Sequence, residues 1–419
     1  MKRLAVIVGY GCPQTGATWN VVWRILRELQ KDFEITVFSQ RTVNHALGKS
    51  FDYEGVRILE ASDWWNDVRL ACEGNRILKV LWRPVYYFAG FFKRTAVYVY
   101  TVRNTIKLFE REHSRHHFEA IFSVAGPTTS GHRAARLIKM QHKDIPWAAY
   151  SVDTLHNAAH FHDRLHPIKS ILRRLYWAGM EADEMRSCSS ADAFFCSPDI
   201  YAANADVHRG FPNRVCELPY PMVLPESYGQ KSSRDRLRVV YGGMFYADIR
   251  NPTWFVGVLD RLLADDSSKF AFEFYIGLDG AFAKLFQDLH KKYGDAVQVF
   301  EKRPPDEFSV IMRDADVLLN FSNDLAQCSP SKLFDFIATG APLLDVRYPN
   351  RAINPALKGH PMCLSVVNGS DPEASAKEVG TFLMEHAGQR VPLDELRERY
   401  ATYLPDYCLR ELKDVLNGR

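Results

Sequence analysis

The chain has 419 residues, of which 47% are hydrophobic and 25% are charged, a composition typical of globular proteins. Its length exceeds what one ordinary core covers, so two domains of roughly 200 residues are expected. The formal net charge of +3 at pH 7 is too small to indicate nucleic acid as the main partner. Eight cysteines are scattered without a CxxC pair, which favours reduced thiols in a cytoplasmic protein over a disulfide framework.

The first 220 residues alternate short apolar runs with amphipathic stretches. Residues 4–8 predict a strand, because this apolar run ends at Gly9 and is too short for a signal peptide. No run of about 18 apolar residues occurs, so no membrane span is expected. Residues 18–30 predict a helix with one apolar face, and the further predicted strands are 34–39, 120–124, 147–152 and 193–196. This alternation indicates a parallel sheet with helices on both faces.

A stretch rich in Pro, Gly and Ser from Leu218 to Ser233 predicts a linker between domains 1–220 and 232–392. Beyond it the alternation restarts, and one or two helices are expected in the last residues, about 393–416. The predicted strands are 238–242, 270–276, 297–300, 316–321 and 343–346, and the predicted helices are 252–263, 280–292 and 305–313. The sequence therefore predicts an α/β protein of two doubly wound, Rossmann-like domains.

The stretch from Ser329 to Pro342 connects two predicted strands of the second domain through a helix. A helix N-terminus carries free N–H groups and the positive end of the helix dipole, so the loop before it suits a diphosphate. Lys332 is predicted in the first turn, where a cation opposes the dipole; a bound diphosphate would justify it, and a solvated lysine is the alternative. Asp335, one turn further, suits the hydroxyl groups of a ribose, and simple compensation of the dipole is the alternative.

A second candidate element follows the first strand of the second domain. Gly243 lets a ligand approach the backbone closely. Arg250 precedes Asn251-Pro252, which suits a helix start, and its guanidinium group could clamp a phosphate with two parallel hydrogen bonds. A surface arginine near a helix cap is the alternative. Because ligands of such sheets bind beyond the carboxyl ends of the strands, Gly243, Arg250 and Lys332 are expected to meet at one site.

The string Pro-Ser-Lys-Leu-Phe-Asp-Phe-Ile-Ala-Thr-Gly-Ala-Pro, residues 330–342, resembles the donor-binding half of GT-B glycosyltransferases when taken together with Gly242-Gly243 and Arg250. The closest match is to family 4, which builds bacterial surface sugars. The resemblance implies two domains that face each other across a cleft, and transfer of a sugar from a nucleotide-diphosphate sugar to a glycan or lipid-linked acceptor. It also implies retention of configuration at the sugar and no required metal or other cofactor.

The resemblance assigns further roles on the donor side. Asp335 matches the acid that holds the ribose, and Ser331 lies beside Lys332 in the matched string. Gln327 stands where the family has an acid that contacts the donor sugar. Its amide can hydrogen-bond sugar hydroxyls but brings no charge to a developing oxocarbenium ion. Two alternatives stay open: a sugar-nucleotide epimerase or hydrolase on the same fold and, because of this departure, a non-catalytic scaffold subunit.

Candidate catalytic residues in the first domain are Asp153 and His156, which directly follow the predicted strand 147–152. They would face the transferred sugar or the acceptor hydroxyl, with helix capping or structural hydrogen bonds as the alternative. By resemblance, Gly11 and Gly16 belong to an acceptor-side loop, and the helices of about 393–419 return to the first domain. Further histidines follow His156, but no Cys or carboxylate completes a zinc site, so no metal is predicted.

Residues 76–111 interleave basic and aromatic side chains. This composition suits peripheral attachment to an anionic membrane, at the inner face of the plasma membrane if the acceptor is lipid-linked. The alternative is a pair of core helices whose basic side chains extend to solvent, and both stay open. Single-stranded nucleic acid also selects such composition, but the small net charge argues against it.

Overall fold

The computed structural model describes residues 1–12, 17–40, 50–61, 101–126, 129–152, 181–204, 215–229, 234–247, 249–278, 282–324 and 332–419, with the short pieces 68, 71–72, 77–78, 80–81, 210–211 and 232. The chain divides into two compact units. Unit 1 comprises Met1–Pro221 and Cys408–Arg419, and unit 2 comprises Met222–Tyr407.

Among the residues that the structure describes, unit 1 is built on an eight-stranded sheet. Its strands are β1 (Lys2–Gly11), β2 (Phe33–Gln40), β3 (Ser50–Tyr53), β4 (Val56–Ala61), β5 (Ala120–Ala125), β6 (Trp147–Ser151), β7 (Ala193–Cys196) and β8 (Val215–Glu217). They lie in the order β3-β4-β2-β1-β5-β6-β7-β8, and every pair is parallel except β3 with β4. The residues of β5, β6 and β7 are all buried, as expected for parallel strands covered on both faces.

Helices cover the sheet of unit 1. In the longer described segments they are α1 (Ala17–Leu29), α2 (residues 101–116), α3 (Ser130–Gln141), α4 (residues 181–190) and α5 (Pro198–Ala203). The last helix of the chain, Arg410–Leu416, contacts β5, β6 and β7. Lys413 near its end forms an ion pair with Asp32 at 2.7 Å, which ties the C-terminus to this unit.

Unit 2 has a six-stranded sheet that is parallel throughout. Its strands are β9 (Leu237–Gly242), β10 (Phe270–Tyr275), β11 (Val297–Phe300), β12 (Val317–Phe321), β13 (Leu343–Arg347) and β14 (Cys363–Val367). Their order is β11-β10-β9-β12-β13-β14. This order, third-second-first-fourth-fifth-sixth along the unit, is that of the dinucleotide-binding Rossmann fold.

The helices of unit 2 alternate with these strands. They are α6 (Thr253–Asp266), α7 (Ala283–Tyr293), α8 (Pro305–Arg313), α9 (Leu333–Ala338), α10 (Pro355–Lys358), α11 (Pro372–His386) and α12 (Leu393–Arg399). Helices α6, α7 and α11 contribute to one apolar core with the strands, in which Phe255, Phe272 and Phe286 are fully buried. The predicted α/β architecture of two doubly wound units is confirmed.

Several details differ from the sequence-based expectations. Lys332 is the residue before α9 and not part of its first turn, and Asp335 lies in the first turn because the helix begins only at Leu333. Residues 393–407, expected on the first domain, belong to unit 2, and the return to unit 1 begins at Cys408. The predictions omit β3, β4, β8 and β14. Strands β3 and β4 form a hairpin whose turn, Glu54-Gly55, has positive φ at both residues.

Gly340 ends α9 in the left-handed region, with φ of +65°. A Cβ atom at this position would overlap the hydroxyl of Tyr228 and lie 2.9 Å from the carbonyl oxygen of Val391. We expect Gly340→Ala to destabilise unit 2 by about 3 kcal/mol, from backbone strain and overpacking together. Urea unfolding measures this loss. Gly369→Ala is the matched control, because Gly369 also has positive φ but no heavy atom within 4 Å of its Cβ position; equal losses in both variants would contradict the overpacking.

Candidate functional site

The strand order of unit 2 reverses between β9 and β12, so the loops that leave these two strands diverge at their carboxyl ends. In open parallel sheets this point is where ligands bind, because the diverging loops leave a crevice between them. The loop after β9 begins at Gly243, and the loop after β12 begins at Ser322. The candidate donor-binding residues that the structure describes all lie in or beside these loops.

Two glycines at the end of β9 are closely surrounded by side chains. A Cβ atom at Gly242 would overlap the ring of Phe308, which occupies that space. At Gly243 it would lie 2.8 Å from the hydroxyl of Tyr241 and 3.7 Å from Nη1 of Arg250. Side chains larger than hydrogen therefore do not fit here, and Gly243 lies directly beside Arg250.

Arg250 is presented by a short hairpin, in which the backbones of Tyr246 and Arg250 exchange hydrogen bonds of 3.1 and 3.0 Å. Its Nε and Nη2 atoms both donate to Oδ1 of Asn323, at 3.0 and 2.6 Å. Nη1 donates to the carbonyl oxygen of Met244 at 3.3 Å. Arg250 thus joins the loop after β9 to the loop after β12, and Asn323 is a site residue that the sequence-based prediction missed.

Lys332 reaches the same place from the other end of the loop after β12. Its Nζ atom donates to the carbonyl oxygen of Gly242 at 3.1 Å and lies 5.3 Å from the centre of the Phe308 ring. The residue as a whole keeps exposed surface, whereas the ammonium group at its tip lies among protein atoms. Burial of this group lowers the pKa of Lys332, and the charges of Arg250 and Lys302 lower it further.

The electrostatic balance of this site favours an anion. Among Asp335, Arg250 and Lys302, only the carboxylate of Asp335 raises the pKa of Lys332, and the two cations oppose it. Because like charges repel, cations that act on one another in this way are stabilised when an anion binds beside them. The structure therefore brings Gly243, Arg250, Lys332 and Asp335 together at an edge of the sheet that suits phosphate.

Most of the other predicted site residues lie outside the part of the chain that the structure describes. Gln327 and Ser331 lie outside the described residues, and so do Asp153, His156 and Gly16. Gly11 is the last residue of β1, where it is paired with Gln40 of β2. The roles of all these residues stay predictions.

The corresponding switch point of unit 1 lies between β1 and β5, beside the first turn of α3. A Cβ atom at Gly131 would lie 2.8 Å from the carbonyl oxygen of Val124 and 2.9 Å from the backbone nitrogen of Gly9. The hydroxyl of Ser130 donates to the carbonyl oxygen of Gly9 at 3.0 Å. This contact requires a small residue at 131, and it places the N-terminus of α3 against the end of β1.

A buried polar chain runs beneath this edge of unit 1. Trp147 Nε1 donates to Oγ of Ser123 at 2.8 Å, and Ser123 Oγ lies 2.8 Å from Nδ1 of His132. Nε2 of His132 lies 3.4 Å from Oγ of Ser151, which donates to Glu184 at 3.1 Å. Burial alone lowers the pKa of His132 to about 3. The histidine is therefore neutral, and its two ring nitrogens have different partners.

Residues 76–111 are described only at 77–78, 80–81 and 101–111. In α2, Val102 and Phe109 are buried in the core of unit 1, while the basic residues Arg103 and Lys107 are exposed. The core-helix interpretation therefore holds for 101–111. Ile77 and Val80, in contrast, are 72% and 70% exposed.

Within the part of the chain that the structure describes, no helix is both long and apolar enough to cross a membrane. Within the same residues, no three His, Cys, Asp or Glu side chains are grouped so that they could hold a metal ion.

Neither protein-family models nor the sequences of curated proteins give a match to this chain. Solved structures do. WaaG, a glycosyltransferase involved in lipopolysaccharide biosynthesis, is similar over 99% of this chain and 100% of its own, with a TM-score of 0.58 and 11% identity. The catalytic domain of starch synthase IV from Arabidopsis thaliana, bound to ADP and acarbose, is also similar. The match extends over 100% of this chain and 99% of the starch synthase chain, with a TM-score of 0.56 and 10% identity.

A protein assigned as UDP-N-acetylglucosamine 2-epimerase from Listeria monocytogenes is similar over 100% of this chain and 96% of its own, with a TM-score of 0.54 and 11% identity. Identities this low establish a shared fold and not a shared activity, because one fold serves several chemistries. The chain has the fold of the GT-B glycosyltransferases, with two Rossmann-like domains.

Proposed function

We propose that this protein is a glycosyltransferase that moves a sugar from a nucleotide-diphosphate sugar to a glycan or lipid-linked acceptor. The observation that carries the proposal is the pair of cations, Arg250 and Lys332, at the β9/β12 switch point. A nucleoside diphosphate is the leaving group of such a transfer, and positive groups fixed beside it stabilise the negative charge that develops on it. The fold similarity to WaaG and starch synthase IV supports the same reaction class.

Each donor-side residue has a distinct part in this proposal. Gly243 brings the backbone at the end of β9 close to the diphosphate beside Arg250, Arg250 and Lys332 neutralise its charge, and Asp335 accepts hydrogen bonds from the ribose. Gln327 would hydrogen-bond the donor sugar. In the proposed reaction the two cations provide the charge neutralisation, so no divalent metal is required. Retention of the anomeric configuration is proposed from the family resemblance alone.

The acceptor side of the proposal rests on unit 1. Asp153 and His156 would contact the acceptor hydroxyl or the transferred sugar, and Gly11 and Gly16 would lie in the acceptor loop. A lipid-linked acceptor in cell-surface polysaccharide synthesis would bring the protein to the inner face of the plasma membrane. The exposed apolar residues Ile77 and Val80, within the basic and aromatic segment 76–111, support contact with an anionic membrane.

A sugar-nucleotide epimerase is the second candidate. The similarity to the Listeria monocytogenes protein favours it, since that fold match also extends over the whole chain. An epimerase would use the same diphosphate site but would convert the donor without an acceptor. The neutral side chain of Gln327, where the family has an acid, also leaves a non-catalytic scaffold as an outcome that experiments can distinguish.

A two-step experiment tests these functions. Thermal shift with the diphosphates of uridine, guanosine, adenosine and cytidine, and with their sugars, identifies the donor, because a ligand that binds only the native state raises its stability. The stabilising donor is then incubated with and without membrane extracts that contain lipid-linked glycans. Acceptor-dependent release of nucleoside diphosphate supports the transferase, and conversion of the donor sugar alone supports the epimerase. Absence of binding at millimolar ligand would indicate the scaffold.

A further inference from the structure

The guanidinium group of Arg250 is held by neutral acceptors. Two of its nitrogens donate to the same amide oxygen of Asn323, and a third donates to the backbone carbonyl of Met244. Among the residues that the structure describes, no carboxylate forms an ion pair with it. Asn323 is itself only 7% exposed, so this contact is a defined part of the fold.

Two other arginines of unit 2 are held by carboxylates, whereas Arg390 donates to backbone carbonyl oxygens. Arg238 forms ion pairs with Glu273 at 2.6 Å and with Asp314 at 3.3 Å. Arg351 pairs with Asp324, the residue directly after Asn323, at 3.2 Å. A carboxylate partner is the stronger way to fix a guanidinium group, since it combines charge attraction with two hydrogen bonds. It also cancels the charge, and no carboxylate of the described residues does so at Arg250.

The loop that carries Asn323 is fixed on both sides. Ser322 donates to the buried carboxylate of Asp345 at 2.8 Å. The backbone nitrogen of Asp324 donates to the carbonyl oxygen of Ile249 at 2.8 Å, next to Arg250 in the chain. The amide of Asn323 is therefore presented to Arg250 by a loop that other contacts already hold in place.

We propose that Asn323 is a positioning residue that orients Arg250 and, because its amide is neutral, leaves the full charge of the guanidinium group to a bound diphosphate. This inference rests on the proposed function, because it concerns the same diphosphate site. The neutral partner of Arg250 would make that site selective for an anion. A carboxylate of the same shape would hold Arg250 equally well, but a diphosphate would then compete with it for the same cation.

Three variants test this role: Asn323→Asp, Asn323→Ala and, as a control, Asn251→Asp. Asn251 lies just before α6, where its side-chain oxygen accepts from the backbone nitrogen and the hydroxyl of Thr253 at 2.9 and 2.6 Å, and an aspartate can accept both hydrogen bonds in the same way. The control therefore adds the same charge next to Arg250 in the chain without placing it on the guanidinium group. Binding is measured by calorimetry with the diphosphates of uridine, guanosine, adenosine and cytidine, and the tightest of the four is used for all variants.

We expect Asn323→Asp to weaken diphosphate binding by about 10- to 100-fold, and Asn323→Ala by only a few fold. Asn251→Asp should change the affinity by less than about twofold. The order of the two Asn323 variants is decisive. A residue that only holds Arg250 in place would tolerate aspartate best and alanine least. The thermal midpoint of Asn323→Asp should not fall, because the new ion pair replaces the old hydrogen bonds.

Results that contradict the role of Asn323 can be distinguished from results that contradict the diphosphate site itself. If Asn323→Asp binds as tightly as the wild type while Arg250→Ala and Lys332→Ala bind weakly, the role of Asn323 is wrong and the diphosphate site stands. Weaker binding by Asn323→Ala than by Asn323→Asp also overturns the role, in favour of a structural contact. If the wild type binds none of the four diphosphates, the proposed function and this inference are both overturned.

Discussion

Replacing Arg250 or Lys332 by alanine is expected to weaken the binding of nucleoside diphosphates by about 10- to 100-fold for each variant. Both cations lie at the carboxyl ends of β9 and β12, and neither is held by a carboxylate among the described residues. Removing either charge takes away attraction to the ligand and leaves the ion pairs of unit 2 intact. Calorimetry with the diphosphate that binds best measures the loss.

The fold should survive both substitutions. Lys332 keeps exposed surface and Arg250 is half-buried, so neither side chain fills the core. Matched controls are Arg261→Ala and Lys291→Ala, because these exposed residues of the same unit form ion pairs with Glu373 and Asp288. Control variants should bind as the wild type does. Unchanged affinity in both Arg250→Ala and Lys332→Ala would remove the basis of the site assignment.

The sequence predicts much of this site because its chemistry is local to two strand ends. Apolar runs separated by helix-like stretches identify β9 and β12, and the polar residues that follow each strand in a parallel sheet must meet at one edge. This rule predicts that Gly243, Arg250 and Lys332 lie at one site. Asn323 also follows β12, so the same rule places it at this edge of the sheet. Its role depends on a contact with Arg250, 73 residues earlier in the chain, which the rule does not predict. Such a pairing is fixed by the geometry of the two loops and not by either segment alone.

The elements that the sequence did not reveal are short or lie at sheet edges. Strand β14 is an edge strand whose residues are mostly half-buried, so its hydrophobic pattern is weak. Strand β8 has only three residues. The sequence pattern predicts a start of α9 that includes Lys332 in the first turn, because the polar residues before Leu333 are compatible with both a loop and a helix start. The helix begins at Leu333, which changes the place of Lys332 from the first turn to the residue before the helix.

The polar chain of unit 1 cannot be predicted from the sequence either, because Ser123, His132 and Glu184 come from three different elements. The hydrogen-bond donors in it can be ordered. Ser151 has one hydroxyl proton and donates it to Glu184, so His132 must donate from Nε2 to Ser151. Nδ1 of His132 then accepts from Ser123, whose oxygen in turn accepts from Trp147. Every proton in this chain has a place when the histidine is neutral.

Acidification is therefore expected to destabilise unit 1 through His132. Its pKa falls from 6.5 to about 3 in the folded chain, because burial disfavours the charged ring. Between these values the unfolded chain binds a proton that the folded chain does not, so stability is complete above pH 6.5 and decreases as the pH is lowered. The loss should reach roughly 4 kcal/mol near pH 3. His360 in unit 2, with a pKa lowered to about 4, acts in the same direction on its own unit.

NMR of the ring nitrogens of labelled histidine distinguishes the titration of His132 from that of other acid-sensitive groups such as His360. We expect one signal set with a proton on Nε2 that does not titrate until well below pH 5, and its loss in His132→Gln identifies it. Urea unfolding of the same variant should show a flatter decrease of stability between pH 6.5 and 4 than the wild type shows, while His360→Gln leaves the His132 ring signals in place. A midpoint near 6.5 for His132, or a proton on Nδ1 in the neutral ring, would contradict the order of donors. A charged ring would carry a proton on Nδ1, which would face the hydroxyl proton that Ser123 donates to Nδ1 when the ring is neutral. The measurement therefore tests the order of donors and the acid sensitivity together.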